Sequence, residues 1–248
     1  LDADNYVINS ISNIFEATPL KERGLVLWPD FWRRLHHPSL YEITALGDEF
    51  DEQVRFSVDN VSPTDVYKLV DVNDVPFHDL KGTIPDGSTE SGQLLVNKSK
   101  HLDTIILSLY YNYNGPSHYY PLLGQGYAGE GDKDTFALAA KVLHSGDSKE
   151  SYYQVKTPVK AMGHWALKKD ETLVLDDDAV IETEKQYRGV AMLQHDPEYD
   201  YKMLGEAQRN ISAKYKKALD EYREGKPQDD YKTVYQEFWD KQKQDGYD

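Results

Sequence analysis

Apolar residues fall in short runs along this chain, and each run predicts an element. The densest is Gly24-Leu25-Val26-Leu27-Trp28. With no polar interruption it predicts a buried strand that stops at Pro29. Ahead of it, Asn9 or Ser10 is placed to cap a short helix over 11–17, ended by Pro19. Leu102, Ile105, Ile106 and Leu109 recur at helical spacing and predict one apolar stripe on a helix over 101–111, capped by Ser99. A second helix is predicted over 133–143 with Asp132 as its cap. Residues 90–96 suit a helical turn or short helix. Strands are predicted over 153–155, 172–175 and 189–193, with the acidic run Asp176-Asp177-Asp178 in a turn between them. Residues 47–89 hold Gly47, Pro63, Pro76, Gly82, Pro85 and Gly87 and little periodicity, which predicts a loop-rich insertion. Beyond 200 the pattern turns helical and charged. Leu204, Ala207, Ile211, Tyr215 and Leu219 mark one face, Gly225 and Pro227 break it, and a second helix covers 231–242. The expected organisation is therefore an α/β domain over 1–200 and a helical extension over 201–248.

Composition narrows the chemistry. The 248 residues include no cysteine, which excludes a disulfide scaffold, thiolate zinc sites and a cysteine nucleophile. The net charge is −15, which argues against nucleic-acid or anionic-membrane binding, since both require clustered Lys and Arg. No apolar run approaches the roughly 20 residues of a membrane helix, and the opening LDADNYVINS has no signal-peptide pattern. Nineteen Tyr, seven Phe and four Trp suit either core packing or a site with flat apolar faces and polar rims.

Five constellations could carry chemistry. Asp2-Ala3-Asp4-Asn5 offers two carboxylates two residues apart, suited to a hard divalent cation, or forms a plain polar turn. Trp28-Pro29-Asp30-Phe31-Trp32-Arg33-Arg34 follows the central strand. Its Trp and Asp suit a sugar face and its hydroxyls, and Arg33 or Arg34 suits a phosphate, or the segment is a hydrophobic corner. Glu90-Ser91-Gly92-Gln93 suits a polyhydroxylated ligand or a helix start. Gly129-Glu130-Gly131-Asp132-Lys133-Asp134 lacks the spacing of a phosphate-binding glycine loop, and its carboxylates suit sugar hydroxyls better than phosphate. Finally, Gln194-His195-Asp196-Pro197 places an imidazole at a strand end as a ligand, an acid-base group or a structural residue, with His164 as its competitor. No G-x-S-x-G or H-E-x-x-H motif is present.

Taken in order, Leu1-Asp2-Ala3-Asp4-Asn5, the run from Gly24 to Trp32, Glu90-Ser91-Gly92-Gln93 and the run from Gly129 to Phe136 resemble the fungal Golgi α-mannosyltransferases, most closely their α-1,2 branch. Tyr110-Tyr111-Asn112 and Pro121-Leu122 fit the same pattern. The resemblance is specific over residues 1–145. It implies a GT-A-like glycosyltransferase fold, incomplete at the N-terminus because members carry a membrane helix and further strands ahead of the D-x-D motif. It implies transfer of mannose from GDP-mannose to a mannose-containing glycan acceptor on mannoproteins, with retention of configuration. Asp2 and Asp4 would match the D-x-D motif and hold Mn²⁺ or Mg²⁺, with His195 as a late ligand. Asp2, Asp4, Glu130 and Asp132 would be catalytic. Trp28, Asp30, Trp32, Glu90, Ser91, Gln93, Gly129 and Lys133 would bind substrate. The whole protein would be a membrane-anchored resident of the Golgi lumen. Three sequons, at Asn60, Asn97 and Asn210, are compatible with that setting. Two other readings compete: a non-catalytic carbohydrate-binding remnant and a two-carboxylate glycoside hydrolase.

Overall fold

The computed structural model describes residues 1–47, 50–55, 75–127, 130–144, 151–167 and 185–203, together with 221 and 224. The expected strand over 172–175, the run Asp176 to Asp178, Gly129, the sequons at Asn60 and Asn210, and the helices beyond 203 lie outside the described residues.

The architecture is mixed α/β and is organised on one strand. Strand β1 (Leu25–Pro29) is buried along its whole length. It is central in a three-stranded sheet, antiparallel to β2 (Thr89–Val96) and parallel to β3 (Tyr153–Gln154). Alternate side chains of a strand point to opposite faces, so β1 feeds two cores. Leu25 and Leu27 join one apolar cluster with α2 (Ser39–Ile43), α3 (Lys98–Tyr113), α4 (Tyr120–Gly124) and α5 (Thr135–His144). Val26 and Trp28 join a second, with Leu20 of α1 (Thr18–Arg23), Leu95 and Tyr153. A strand covered on both faces reads as a continuous apolar run, and for that reason β1 was visible in the sequence.

Several elements differ from expectation. Pro19 begins a helix and does not end one: it sits in the first turn of α1, where a missing N–H leaves nothing unpaired. Gly24 terminates α1 in the left-handed region (φ 81°), and a Cβ there would come within 2.8 Å of the His101 ring. Only a three-residue 3₁₀ turn, Ile14–Glu16, forms within 11–17. Residues 90–96 are strand, not helix. Pairing with β1 supplies the backbone partners that local propensity would have sought in a turn. Asn97 caps α3 in place of Ser99, its side chain accepting from the Ser99 N–H at 3.0 Å.

The expected apolar stripe of α3 faces outward. Leu102, Ile106 and Leu109 are exposed, whereas His101, Thr104, Ser108 and Tyr111 are buried. Small polar side chains let α3 approach α5 closely. Ser108 Oγ lies 2.8 Å from Thr135 Oγ1, and the Asn112 amide donates to that same oxygen at 3.0 Å.

Strands β4 (Lys160–Leu167) and β5 (Lys185–Leu193) form a separate antiparallel ribbon, with a register shift beside Gly163, where any Cβ would strike the Arg188 backbone. A helix begins at 197. Its residue Asp200 accepts from Tyr153, Lys156 and Thr157, which fastens it beside β3. Among the described residues no helix is long and apolar enough to cross a membrane.

Candidate functional site

Three segments distant in sequence meet where β1 ends and β2 begins. The first leaves β1 at Asp30, the second enters β2 at Thr89, and the third enters α5 through residues 130–134. Ladder pairing of Trp28 with Glu90 and of Pro29 with Thr89 sets the first two side by side. The third is tied to them by Thr89, whose hydroxyl donates to the Lys133 carbonyl at 2.5 Å, and by Ser91, whose hydroxyl donates to Asp132 at 2.8 Å.

The polar side chains that result form one group. Lys133 Nζ donates to Asp30 at 2.8 Å, and both side chains are largely shielded from solvent, at 15% and 7% exposure. Glu90 lies within their field and that of Asp132. Burial, with Asp30 and Asp132 nearby, pushes its carboxyl up, against the pull of Lys133 and of the Gly92 N–H that it accepts. One ammonium thus sits among three carboxylates. Such a group suits hydroxyl recognition, in which carboxylates accept and the ammonium donates. Phe31 and Trp32 follow directly and are half exposed, at 51% and 49%.

The D-x-D loop joins the group through Gly92. The Asp2 N–H donates to the Gly92 carbonyl at 2.8 Å, and the Asn5 amide donates to it at 2.5 Å. A Cβ at Gly92 would lie 2.9 Å from Asn5 Nδ2, 3.0 Å from Glu90 Oε1 and 3.7 Å from Asp2 Oδ2. Glycine lets the loop approach closely here, and its φ is not unusual. Asp2 and Asp4 are themselves exposed.

A buried network underlies the three segments. Arg34 donates to the carbonyls of Pro85 (2.7 Å) and Gly87 (2.9 Å), and its guanidinium pairs with Asp134 at 2.7 Å. Asp134 also lies 3.2 Å from His36 Nε2 and accepts from the Thr89 N–H at 2.9 Å. Burial alone would push the Asp134 carboxyl up, but Arg34, His36 and the Thr89 N–H outweigh it and hold the group well below the usual carboxylate range. Burial pushes the neighbouring His78 down to about 3, so this imidazole stays neutral.

The structure therefore gathers Asp2, Asp30, Glu90, Ser91, Asp132 and Lys133, and it separates other expected site residues. Trp28 is 4% exposed and donates its indole N–H to the His195 carbonyl at 2.7 Å; it is a core residue, and Trp32 is the exposed ring. Arg34 is buried against Asp134 and is not free for a phosphate, whereas Arg33 pairs with Asp86 at 2.7 Å and stays exposed. Glu130 turns away to accept the Gly126 N–H at 2.7 Å. Gln93 is half buried on β2. His195 meets Trp28 through its backbone carbonyl, and its ring Nε2 is buried without a hydrogen-bonding partner among the described residues. Among those residues no three carboxylate or imidazole side chains gather as a metal-holding group, so His195 is not brought to Asp2 and Asp4. Sequence reasoning missed Arg34, His36 and Asp134 as a network and Gly92 as an anchor. Arg34, Asp134 and Gly92 stand inside the quoted motifs and His36 lies two residues past one, but nothing in the motifs marked them as a network or an anchor.

The α-1,2-mannosyltransferase MNN2 of Saccharomyces cerevisiae (strain ATCC 204508 / S288c) is 46% identical over 217 residues, which is 87% of this chain and 33% of that protein. MNN5 of Saccharomyces cerevisiae (strain YJM789), also named an α-1,2-mannosyltransferase, is 40% identical over 86% of this chain and 35% of its own length. MNN23 of Candida albicans (strain SC5314 / ATCC MYA-2876), of the same description, is 36% identical over 82% of this chain and 31% of its own. The chain thus spans about a third of the length of these relatives. No solved structure matches it. The mannosyltransferase family model Mannosyl_trans3 matches residues 1–196, which include the whole gathered group, and the chain belongs to that family.

Proposed function

We propose that this chain carries the sugar-binding part of an enzyme that transfers mannose from GDP-mannose to a mannose-containing glycan, with retention of configuration. The observation that carries the reading is the group Asp30, Glu90, Asp132 and Lys133 set beside the D-x-D loop. The reading extends to a GT-A-like fold and to residence of the whole, membrane-anchored protein in the Golgi lumen.

The donor set of the loop fits Mn²⁺ or Mg²⁺. Asp2 and Asp4 are hard oxygen ligands on a turn that Gly92 fixes to β2, and such ions complete their shells with substrate phosphates and water. When bound, the ion would supply Lewis-acid neutralisation of charge on the departing diphosphate. Lys133 and the carboxylates around it orient the hexose, while Trp32 offers an apolar face to a sugar ring. Retention does not require the general base of an inverting mechanism, and none is assigned.

The test is mannosyl transfer from labelled GDP-mannose to an α-mannoside by the complete protein, with Asp2→Ala/Asp4→Ala and Lys133→Ala beside it. Metal-dependent transfer abolished by the double substitution and strongly weakened by Lys133→Ala is the expected result. Glycan binding without transfer would favour a carbohydrate-binding remnant, and mannose release from mannan without any nucleotide sugar would favour a hydrolase.

A further inference from the structure

We propose that Asp134 is the positioning residue of this sugar site, with Arg34 as its partner. The inference rests on the functional reading above but concerns residues that touch no substrate there. Each segment bearing site residues is anchored to the Asp134 carboxylate one to four residues away from the group it presents. Thr89 gives it an N–H at 2.9 Å and is followed by Glu90. Arg34 pairs with it at 2.7 Å, four residues after Asp30. Lys133 immediately precedes Asp134, and its carbonyl is held by the Thr89 hydroxyl at 2.5 Å. Arg34 extends the anchorage to the loop ahead of β2 through Pro85 and Gly87.

Stability is a poor reason for such an arrangement. Taking Arg34 and Asp134 out of water costs much of what their attraction returns, and apolar residues of similar size often do as well. What the network supplies is directionality, through the bonds of Thr89 and His36 to Asp134 and of Arg34 to the Pro85 and Gly87 carbonyls. A carboxylate with four contacts from three residues sets the relative placement of three segments, which an apolar contact cannot do. Lys133 and Glu90 inherit that placement.

The experiment separates positioning from mere folding. In the complete protein, Asp134→Asn is compared with Tyr41→Phe. Tyr41 belongs to the same buried region: its hydroxyl accepts from Ile84 N–H at 3.1 Å and lies 3.0 Å from His36, but it touches none of the three segments' site residues. Two readouts are taken below the melting temperature of each variant. The first is the rate at which an amine reagent acetylates Lys133, followed by mass spectrometry with exposed Lys81 as the internal reference. The second is kcat and KM for mannosyl transfer. Asp134→Asn is expected to raise Lys133 labelling several-fold and to lower kcat by about 100-fold, the usual consequence of misplacing a binding group by an ångström. Tyr41→Phe is expected to lower the melting temperature while leaving both readouts near wild type. Lys133 staying protected in folded Asp134→Asn would overturn the proposal. Should Asp134→Asn fail to fold, Thr89→Val removes a hydroxyl that lies 2.5 Å from the Lys133 carbonyl and 3.1 Å from the Asp134 carboxylate, and unchanged labelling there would equally overturn it. Altered labelling in a protein whose wild type transfers no mannose would refute the transferase reading and leave the positioning role standing.

Discussion

Gly92→Ala tests how the D-x-D loop is held. The added Cβ would sit 2.9 Å from Asn5 Nδ2 and 3.0 Å from Glu90 Oε1, closer than real methyl groups approach. Both obstacles are ends of flexible side chains, so the strand itself need not move. Gly92 has no positive φ, and alanine adds no backbone strain. The cost is then the Asn5–Gly92 hydrogen bond and some loosening of Asp2, about 1 kcal/mol for each bond displaced. Alanine's smaller unfolded-state entropy returns about 0.4–1 kcal/mol. The net change in stability is small, about 1 kcal/mol or less. The effect on catalysis is expected to be much larger, because the loop carrying Asp2 and Asp4, the carboxylates proposed to hold the metal, loses a tether. A loss in kcat/KM of about 100-fold, with a raised metal requirement, is the expected outcome in the complete protein. Asn5→Ala breaks the same contact from the other side. The double variant should therefore lose far less than the two single variants combined. Wild-type transfer by Gly92→Ala, or full additivity with Asn5→Ala, would refute the tether.

Other outcomes follow from the same geometry. Lys133→Met should raise KM for the donor more than it lowers the melting temperature, since it leaves Asp30 and Glu90 facing each other without their cation; Michaelis kinetics beside thermal unfolding check this. The Glu90 carboxyl is raised by burial, with Asp30 and Asp132 adding to it, so the folded state holds a proton longer than the unfolded chain does. Its contribution to stability is present below the ordinary carboxylate range and is lost as pH rises through the raised value, and Glu90→Gln should flatten that part of a stability–pH curve. The Asp134 carboxyl is lowered, so its contribution is present above the ordinary range and fades as pH falls; Asp134→Asn should remove that portion of the acid-unfolding transition. Trp32→Ala should weaken glycan binding in a calorimetric titration and leave thermal stability unchanged, because the ring is half exposed.

What the sequence disclosed followed from burial on both sides or from motif adjacency. Strand β1 was legible because five consecutive residues are buried. The other strand of the site was not, because Thr89 to Val96 carries Glu90, Ser91, Gly92 and Gln93, which locally favour a turn, and only β1 makes them a strand. Periodicity misjudged α3 for a different reason. Its apolar stripe is real, but the face that packs is the one with Thr104 and Ser108, where small side chains meet Thr135. Asp30, Glu90, Ser91, Asp132 and Lys133 were chosen one motif at a time, and their meeting depends on the β1–β2 register. Arg34 and Trp28 misled for a common reason. Residue type announces what a side chain can do, but exposure decides whether it does so, and both side chains are buried.

The electrostatics of the site follow from that partition. In a chain of net charge −15, the first two arginines after β1 face Asp86 and Asp134, and Arg34 is buried there. Among the described residues the cation paired within the gathered group is Lys133, held by Asp30. Such a site repels a bare diphosphate, since Asp2, Glu90 and Asp132 surround the same strand end. It accepts a neutral hexose readily, because hydroxyls donate to carboxylates and impose no net charge. Donor binding should therefore divide in two. The sugar would be read by the group around Lys133, and the phosphates would be tolerated only with a divalent cation at Asp2 and Asp4. Free mannose should accordingly bind with or without metal, whereas GDP should bind only with it. Metal-independent GDP binding by the complete protein would mean that another cationic surface receives the diphosphate.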